Sequence, residues 1–217
     1  MRLDLEHTLA RMADNYGLDA QQLIAYAAED TVGGWTYLGY WPGGSIWEVE
    51  GNILYALMRA IRPDQVLECG TRFGCSSTHI LTALKANKRG KLTSVDAESA
   101  KDEIGDDGFG SLVPTSLRKR WTFIRPMTAQ ALLDSDPTPW QVVFEDTDHT
   151  FDTTREILER LKGRPGVQYV ISHDIAHPWV GPAMRQAWTA VFGEQDKDWH
   201  AYDIEPSDCG FAVWRRA

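Results

Sequence analysis

Ionisable side chains follow two strand-like apolar runs in the second half of the chain. One run is followed by residues 145–149, Glu-Asp-Thr-Asp-His, and another by His173 and Asp174. So many ionisable groups at the end of a buried strand are costly unless water or a ligand compensates their charge. Carboxylates are the ligands that hard divalent cations take, and histidine is the commonest general base. The pattern indicates acid-base or metal-assisted chemistry, and an exposed acidic loop is the alternative.

A turn containing two glycines follows the apolar run Gln65–Cys69. Gly70 and Gly74 have a GxxxG spacing and precede the helix-like run Thr78–Lys85. Glycine lets the backbone approach a ligand closely, so a strand, a glycine turn and a helix suit a nucleotide-like ligand. The GxGxxG triplet that places a pyrophosphate on a helix N-terminus is missing, which argues against NAD or FAD. A ligand without phosphates fits better, and a simple packing turn is the alternative.

An aspartate ends the next apolar run, Lys91–Val95. Asp96 follows the glycine turn by about twenty residues, where a ribose diol would meet a carboxylate. One carboxylate can accept hydrogen bonds from both hydroxyls of a vicinal diol. Capping of the following helix is the alternative role for Asp96.

A parallel sheet would bring these residues together. Apolar β-rich runs alternate with helix-like stretches, which predicts an α/β fold with helices on both faces of the sheet. The last two runs have no helix between them, which predicts an antiparallel hairpin at one edge. The predicted strands are Gln65–Cys69, Lys91–Val95, Thr122–Ile124, Gln141–Phe144, Gln168–Ser172, Trp199–Ile204 and Gly210–Trp214.

The N-terminal part is predicted to be a helical appendage. Apolar residues at helical spacing predict helices over Leu3–Tyr16, Gln21–Ala28 and Ile46–Ile61. Gly33–Gly44 mixes tryptophans and tyrosines with glycines, which indicates an aromatic loop. This loop is either a lid over the substrate or an element packed in a dimer.

Composition limits the classes of partner. The 217 residues suit one globular domain, divided here into an N-terminal part, 1–45, and a main part, 46–217. A formal net charge of −9 argues against nucleic acid as the substrate. No apolar run reaches the length of a membrane span, and the start of the chain lacks a signal-peptide layout, so we expect a cytoplasmic protein without a membrane partner. Nine tryptophans, several near the N-terminus, favour a homo-oligomer.

The sequence resembles the class I S-adenosylmethionine (SAM)-dependent methyltransferases. Glu68, Gly70 and Gly74 match the first motif of that family, an acidic residue followed by a spaced pair of glycines. Residues 142–151 resemble the family pattern IDGDHSY, and residues 171–182 resemble HDxxxPGV. The chain departs from the pattern at Glu145, where an apolar residue is usual, and at Thr147, where glycine is usual. The resemblance covers residues 46–217.

The resemblance implies a Rossmann-like seven-stranded sheet with the order 3-2-1-4-5-7-6 and an antiparallel last strand. It implies SAM as the cofactor and an O-methyltransferase acting on a hydroxyl of a small molecule, related to the cephalosporin hydroxylase and sugar O-methyltransferase group. The residues it implies for cofactor binding are Glu68, Gly70, Thr71, Gly74, Ser76, Asp96, Ala129 and Asp146.

The same resemblance implies the chemistry at the strand ends. His149 is the expected base, with Asp146 beside it. Asp146, His173 and Asp174 are the expected ligands of a divalent cation, Mg²⁺ or Mn²⁺. His173 occupies a position where metal-dependent members often have a carboxylate, and imidazole favours a softer ion than magnesium. A metal-free mechanism in which Asp146 orients His149 is the alternative.

Two other classes of function remain as rivals. A dinucleotide-dependent oxidoreductase can use the same fold class, since fold does not fix function. A non-catalytic binding or assembly protein could retain the fold without its chemistry. If the leading hypothesis holds, Asp96→Ala should lose affinity for SAM and stay folded. Gly70→Val should place a branched side chain in the space that the methionine and ribose need.

Overall fold

The computed structural model describes residues 5–29, 45–193, 199–204 and 209–216, with side chains omitted for 199–204. The predicted aromatic loop Gly33–Gly44 lies outside the described residues, and its role as a lid or a dimer element stays a prediction.

The secondary structure follows the apolar patterns closely. The eight helices of the described ranges are α1 Leu5–Tyr16, α2 Ala20–Ala27, α3 Glu48–Ile61, α4 Cys75–Ala86, α5 Lys101–Gly108, α6 Ala129–Ser135, α7 Phe151–Lys162 and α8 Gly181–Phe192. The strands are β1 Gln65–Cys69, β2 Lys91–Val95, β3 Trp121–Ile124, β4 Val142–Glu145, β5 Tyr169–His173, β6 Trp199–Ile204 and β7 Phe211–Arg216. Among the described helices, none is both long and apolar enough to cross a membrane.

The strands form one sheet in the order β3-β2-β1-β4-β5-β7-β6. β1 to β5 pair in parallel, whereas β7 is antiparallel to both of its neighbours, β5 and β6. This is an α/β Rossmann-like fold, and its strand order is the one that the resemblance implies. The helical N-terminal part is confirmed by α1 and α2.

The register of the central strands places the candidate residues at one edge of the sheet. Cys69 of β1 pairs with Glu145 of β4, and Glu145 pairs with Ser172 of β5. The next residue along each strand is therefore at the same level, which brings Gly70 close to Asp146. Ligands of open α/β sheets bind at this carboxyl edge of the strands.

Each face of the sheet is covered by its own hydrophobic cluster. Side chains alternate along β4, so Val142 and Phe144 pack on one side and Val143 on the other. The N-terminal helices share the first cluster, since Leu9 and Tyr16 of α1 are buried in it. The Tyr16 hydroxyl also donates a hydrogen bond of 2.7 Å to the carbonyl of Val213 in β7. The N-terminal helices are thus joined to the main core.

Candidate active site

A cavity of about 520 Å³ opens at the carboxyl edge of the sheet. Pockets for small molecules and cofactors usually have volumes of this order. The ends of β1, β2, β4 and β5 contribute polar residues to its wall. The predicted site residues that line the cavity are Gly70, Thr71, Ser76, Asp96, Ala129, Asp146, His149 and Asp174.

The glycine at the end of β1 is required by the neighbouring strand. Gly70 has a φ of 89°, and its N–H donates a hydrogen bond of 2.9 Å to the carbonyl of Val95. A Cβ on Gly70 would overlap the backbone carbonyl of Asp146. We expected the side chain in Gly70→Val to fill the space of the cofactor. That reason was wrong, because the side chain would first overlap Asp146, the residue that follows β4.

The second glycine supports the turn from behind. Gly74 has a φ of 84° and is the N-cap of α4, and it does not line the cavity. A Cβ at this position would lie 2.7 Å from Cγ2 of Val113. The sequence predicted that Gly74 contacts the cofactor. In the structure, its lack of a side chain instead allows residues 110–113 to pack against the turn.

The acidic residue of the first motif is also behind the cavity wall. Glu68 is fully buried, and its carboxylate accepts hydrogen bonds from the hydroxyls of Ser76, Ser77 and Ser94 at 2.7, 2.6 and 2.5 Å. Burial raises the pKa of Glu68 to about 7, against the opposing effect of these three hydrogen bonds. Glu68 does not line the cavity, so its predicted direct contact with the cofactor is replaced by a role in joining β1, β2 and α4.

Asp96 reaches the cavity and also holds the glycine turn. Its Oδ2 accepts hydrogen bonds of 2.9 Å from the backbone N–H groups of Thr71 and Arg72. Its Oδ1 accepts one of 2.7 Å from the N–H of Glu98. The alternative of a helix cap does not apply, since Ala100 is the N-cap of α5. Each carboxylate oxygen has two lone pairs, so Oδ1 retains acceptor capacity towards the cavity.

The segment after β3 closes another part of the wall. Thr128, Ala129 and Gln130 line the cavity, whereas Met127 packs against the second hydrophobic cluster. His177 also lines the cavity.

Two aspartates and two histidines meet where β4 and β5 end. Nε2 of His149 lies 2.9 Å from Oδ1 of Asp146 and 3.3 Å from Oδ2 of Asp174. Nδ1 of His173 lies 3.3 Å from Oδ1 of Asp146. The predicted base and the predicted cation ligands therefore form one cluster.

The charges of this cluster shift the pKa of its members. Burial lowers the pKa of His149, but the hydrogen bond and charge of Asp146 and the charges of Asp174 and Glu145 outweigh it and raise the pKa to about 9. Burial likewise lowers the pKa of His173, but Asp146 and Glu50 raise it well above its usual value. Burial raises the pKa of Asp146, and the two histidines more than reverse this, leaving it far below its usual range.

Two residues of the cluster have backbone angles that L-amino acids rarely adopt. His149 has a φ of 57° and Asp174 a φ of 58°. Left-handed conformations at non-glycine residues concentrate at functional sites, where the surrounding structure enforces them. Both residues lie in the cluster, where their side chains contact each other.

The sequence reasoning missed Glu50 of α3. Glu50 is fully buried, and its Oε2 lies 3.0 Å from Nε2 of His173. The signal was present in the sequence, because Glu50 falls four residues after Ile46 and three before Ile53, on the apolar face of the predicted helix. A charged residue among buried positions needs a partner, and that partner is remote in sequence.

The two departures from the family pattern compensate each other. The hydroxyl of Thr147 donates a hydrogen bond of 2.7 Å to Oε1 of Glu145. The hydroxyl of Ser172 donates one of 2.8 Å to Oε2, and Nε1 of Trp188 donates to the Ser172 oxygen at 3.1 Å. Burial raises the pKa of Glu145, opposed by His149, Thr147 and Ser172. The unusual buried carboxylate is thus satisfied by the unusual threonine, and together they brace the turn that carries Asp146.

The cluster has the donor set of a cation site. Asp146, His149, His173 and Asp174 each offer one ligand atom, and these atoms lie within 4.8 Å of one another. Oδ1 of Asp174 is buried and has no hydrogen-bond partner within the described residues. Carboxylate oxygens and imidazole nitrogens together suit a divalent ion, so these residues fit such a group.

The fold and the carboxyl-edge cavity define a class I SAM-dependent methyltransferase. The family model described as "Methyltransferase domain" matches residues 67–175, and the chain belongs to this family. No curated protein sequence matches the chain.

Solved structures of methyltransferases share the fold at low sequence identity. The S-adenosylhomocysteine (SAH)-bound methyltransferase PaMTH1 of Podospora anserina is 13% identical with a TM-score of 0.66, covering 98% of this chain and 94% of that one. An O-methyltransferase of Bacillus cereus in complex with SAH is 14% identical with a TM-score of 0.63, covering 98% and 100%. The O-methyltransferase TomG of Streptomyces achromogenes, involved in tomaymycin synthesis and solved with SAM, is 21% identical with a TM-score of 0.54, covering 99% of both chains.

Proposed function

We propose that this protein transfers the methyl group of SAM to a hydroxyl oxygen of a small molecule. One observation carries the proposal: a histidine held by two carboxylates lines the same cavity as the glycine turn and Asp96. A cofactor held at the turn would present its sulfonium to an acceptor near His149. Two of the solved structures similar to this chain are described as O-methyltransferases bound to SAH or SAM, which supports the assignment.

The cofactor would lie along the strand ends in an order set by the wall residues. Asp96 would accept a ribose hydroxyl through Oδ1, since Oδ2 is occupied by the turn. The segment 128–130 would cover the adenine. The methionine part would pass the backbone of Gly70 and Thr71, which lines the cavity.

Methyl transfer is an in-line displacement at carbon. The acceptor oxygen forms a bond to the methyl carbon while the carbon–sulfur bond breaks and its electron pair moves to sulfur, which gives neutral SAH. The hydroxyl proton passes to Nδ1 of His149, because Nε2 carries the hydrogen that the two carboxylates accept, and the ring must be neutral beforehand. Asp146 and Asp174 orient the ring and stabilise the imidazolium that forms.

Asp146, His173 and Asp174 would hold a divalent cation in this proposal. A bound cation would stabilise negative charge on the acceptor oxygen and lower the pKa of the hydroxyl. It would also offset the carboxylate charges that hold His149 protonated. Chelation tests this part: methyl transfer should fall to background in EDTA and return when a divalent cation is added. If the wild type is fully active in EDTA and His149→Gln is inactive, the role of His149 as the base is retained and a catalytic cation is excluded.

The cofactor is tested first by calorimetric titration with SAH, NAD and FAD. Of these three ligands, only SAH should bind. If only NAD binds, the oxidoreductase is favoured instead. Methyl transfer from radiolabelled SAM is then measured against phenols, catechols and sugar hydroxyls. His149→Gln should lower the rate by about 10²–10⁴-fold, the usual contribution of a general base. His7→Gln, on the exposed face of α1, is the matched control. SAH binding without transfer to any acceptor would favour a binding protein.

A further inference from the structure

Glu50 is a buried carboxylate that gathers donors from three parts of the fold. Its Oε2 accepts a hydrogen bond of 2.8 Å from the N–H of Trp47, and its Oε1 accepts one of 3.0 Å from the N–H of Gly210. Nε2 of His173 lies 3.0 Å from Oε2. Glu50 belongs to α3, outside the segment 67–175 that the family model matches.

These contacts determine which nitrogen of His173 faces the cluster. An ionised carboxylate only accepts hydrogen bonds, so Nε2 of His173 carries the hydrogen and donates it to Glu50. Nδ1 points the other way and lies 3.3 Å from Oδ1 of Asp146 and 3.5 Å from Oδ1 of Asp174. Among the atoms of His173, Nδ1 is therefore the one a cation can bind, and the cation would displace the proton that Nδ1 holds towards Asp146 while Nε2 keeps its hydrogen on Glu50.

We propose that Glu50 is a positioning residue that makes His173 a nitrogen ligand through Nδ1 and so sets this site for a transition dication, such as Co²⁺ or Zn²⁺, in preference to Mg²⁺. The inference rests on the cation of the proposed function. A histidine that binds a metal usually donates its other N–H to a carboxylate or carbonyl, which fixes the ring. The buried Oδ1 of Asp174, which has no hydrogen-bond partner in the described part of the chain, supports a ligand at this point.

The donor set indicates the type of ion. Mg²⁺ prefers an octahedron of oxygen ligands and keeps several waters. Imidazole nitrogen suits Zn²⁺, Co²⁺ and related ions, and His173 supplies one such nitrogen beside the carboxylates of Asp146 and Asp174. The competing explanation is that Glu50 only ties α3 to β5 and to the start of β7, with no influence on the cation.

The first experiment measures the response to Zn²⁺ in the wild-type protein, and a variant serves only to assign its signals. Histidine side chains labelled with ¹⁵N are observed by NMR with and without Zn²⁺, and the His173 signals are assigned by their loss in His173→Gln. Zn²⁺ should perturb Nδ1 while Nε2 keeps its proton. Zinc bound through Nε2, or no change at either nitrogen, would overturn the proposal.

The second experiment compares Co²⁺ and Mg²⁺ affinities by calorimetry, with the visible absorption of Co²⁺ as a second readout. Glu50→Gln should weaken Co²⁺ binding by about 10–100-fold, because an amide cannot serve all three donors. Asp134→Asn removes a carboxylate paired with Arg160 on the surface and is the matched control. Its Co²⁺ affinity should equal that of the wild type.

A double variant tests the choice of ion directly. Glu50→Gln with His173→Glu replaces the nitrogen ligand by oxygen and lets the new amide donate to the new carboxylate. The preference for Co²⁺ over Mg²⁺ should fall at least tenfold. Unchanged Co²⁺ affinity in Glu50→Gln, or an unchanged preference in the double variant, would overturn the proposal.

SAH titration of the same samples separates this inference from the rest of the function. If the wild type binds SAH and no dication, both the cation and the role of Glu50 are refuted, and the methyltransferase assignment stands. If it binds a dication with Mg²⁺ preferred, the cation stands and the inference about Glu50 and His173 is refuted.

Discussion

The protonation of His149 should make the stability of the protein depend on pH. Its pKa is raised from 6.5 to about 9 in the folded protein. A group that binds its proton more tightly when folded stabilises the fold while it is protonated. This stabilisation is fully present below pH 6.5 and is lost as the pH rises through about 9. At 1.36 kcal/mol per pH unit, the difference corresponds to at most about 3 kcal/mol.

Urea unfolding of the wild type and His149→Gln, followed by tryptophan fluorescence in EDTA, measures this contribution. Between pH 6.5 and 9.5 the wild type should lose up to about 3 kcal/mol more unfolding free energy than the variant. His173 also has a raised pKa, and because it shares Asp146 with His149, part of its contribution changes with the substitution. His7→Gln should behave like the wild type. Parallel pH profiles for wild type and His149→Gln would refute the assignment of the proton to this ring.

The same proton governs catalysis without a cation. With a pKa of about 9, His149 is neutral in roughly 1% of molecules at pH 7. Any transfer rate measured in EDTA should therefore rise about tenfold per pH unit and level off above pH 9. A flat profile between pH 6.5 and 9 would contradict a base at this position.

Three further predictions follow from the wall of the cavity. Gly70→Ala should destabilise the protein by about 1–3 kcal/mol, because the added Cβ meets the carbonyl of Asp146, and an unchanged urea midpoint would contradict this. Asp96→Asn should weaken SAH binding at least tenfold in calorimetric titration, since charged hydrogen bonds contribute about 1.5–3 kcal/mol, and unchanged affinity in folded protein would remove Asp96 from the site. Glu145→Gln and Thr147→Gly should be coupled by about 1 kcal/mol in a double-mutant cycle of unfolding free energies, because the two side chains share a hydrogen bond. Additive effects would show that the two residues do not compensate each other.

The strands were predictable because each is a local run of apolar residues, and turn-forming residues or helix-like stretches separate one run from the next. β1, β2 and β6 have the predicted bounds, and the others differ by one or two residues at their ends. The ends shift because the last hydrogen bond of a strand depends on its neighbour, which local sequence does not specify. The site edge was predictable for the same reason, since parallel strands must end together.

The contacts inside the site were harder to predict. Glu68 matches a family motif, but its direction depends on three serines from two other elements, and it turns away from the cavity. Glu50 lies 123 residues from His173 in the sequence, and no local pattern predicts that the two side chains pair. Gly70 was recognised as essential, yet the reason lies in the neighbouring strand and not in the ligand. Residue types at strand ends were informative, whereas side-chain directions required the assembled sheet.

The position of β7 has a consequence for the order of assembly during synthesis. β7 is the last strand of the sequence, yet it is inserted between β5 and β6 and is not at an edge. The N–H of Gly210, just before β7, is one of the donors to Glu50. A nascent chain that has already folded its helices and its first five strands would still lack the strand that completes the support of His173. The chemical end of the cavity would form only when β7 is added, so catalytic competence should require β7.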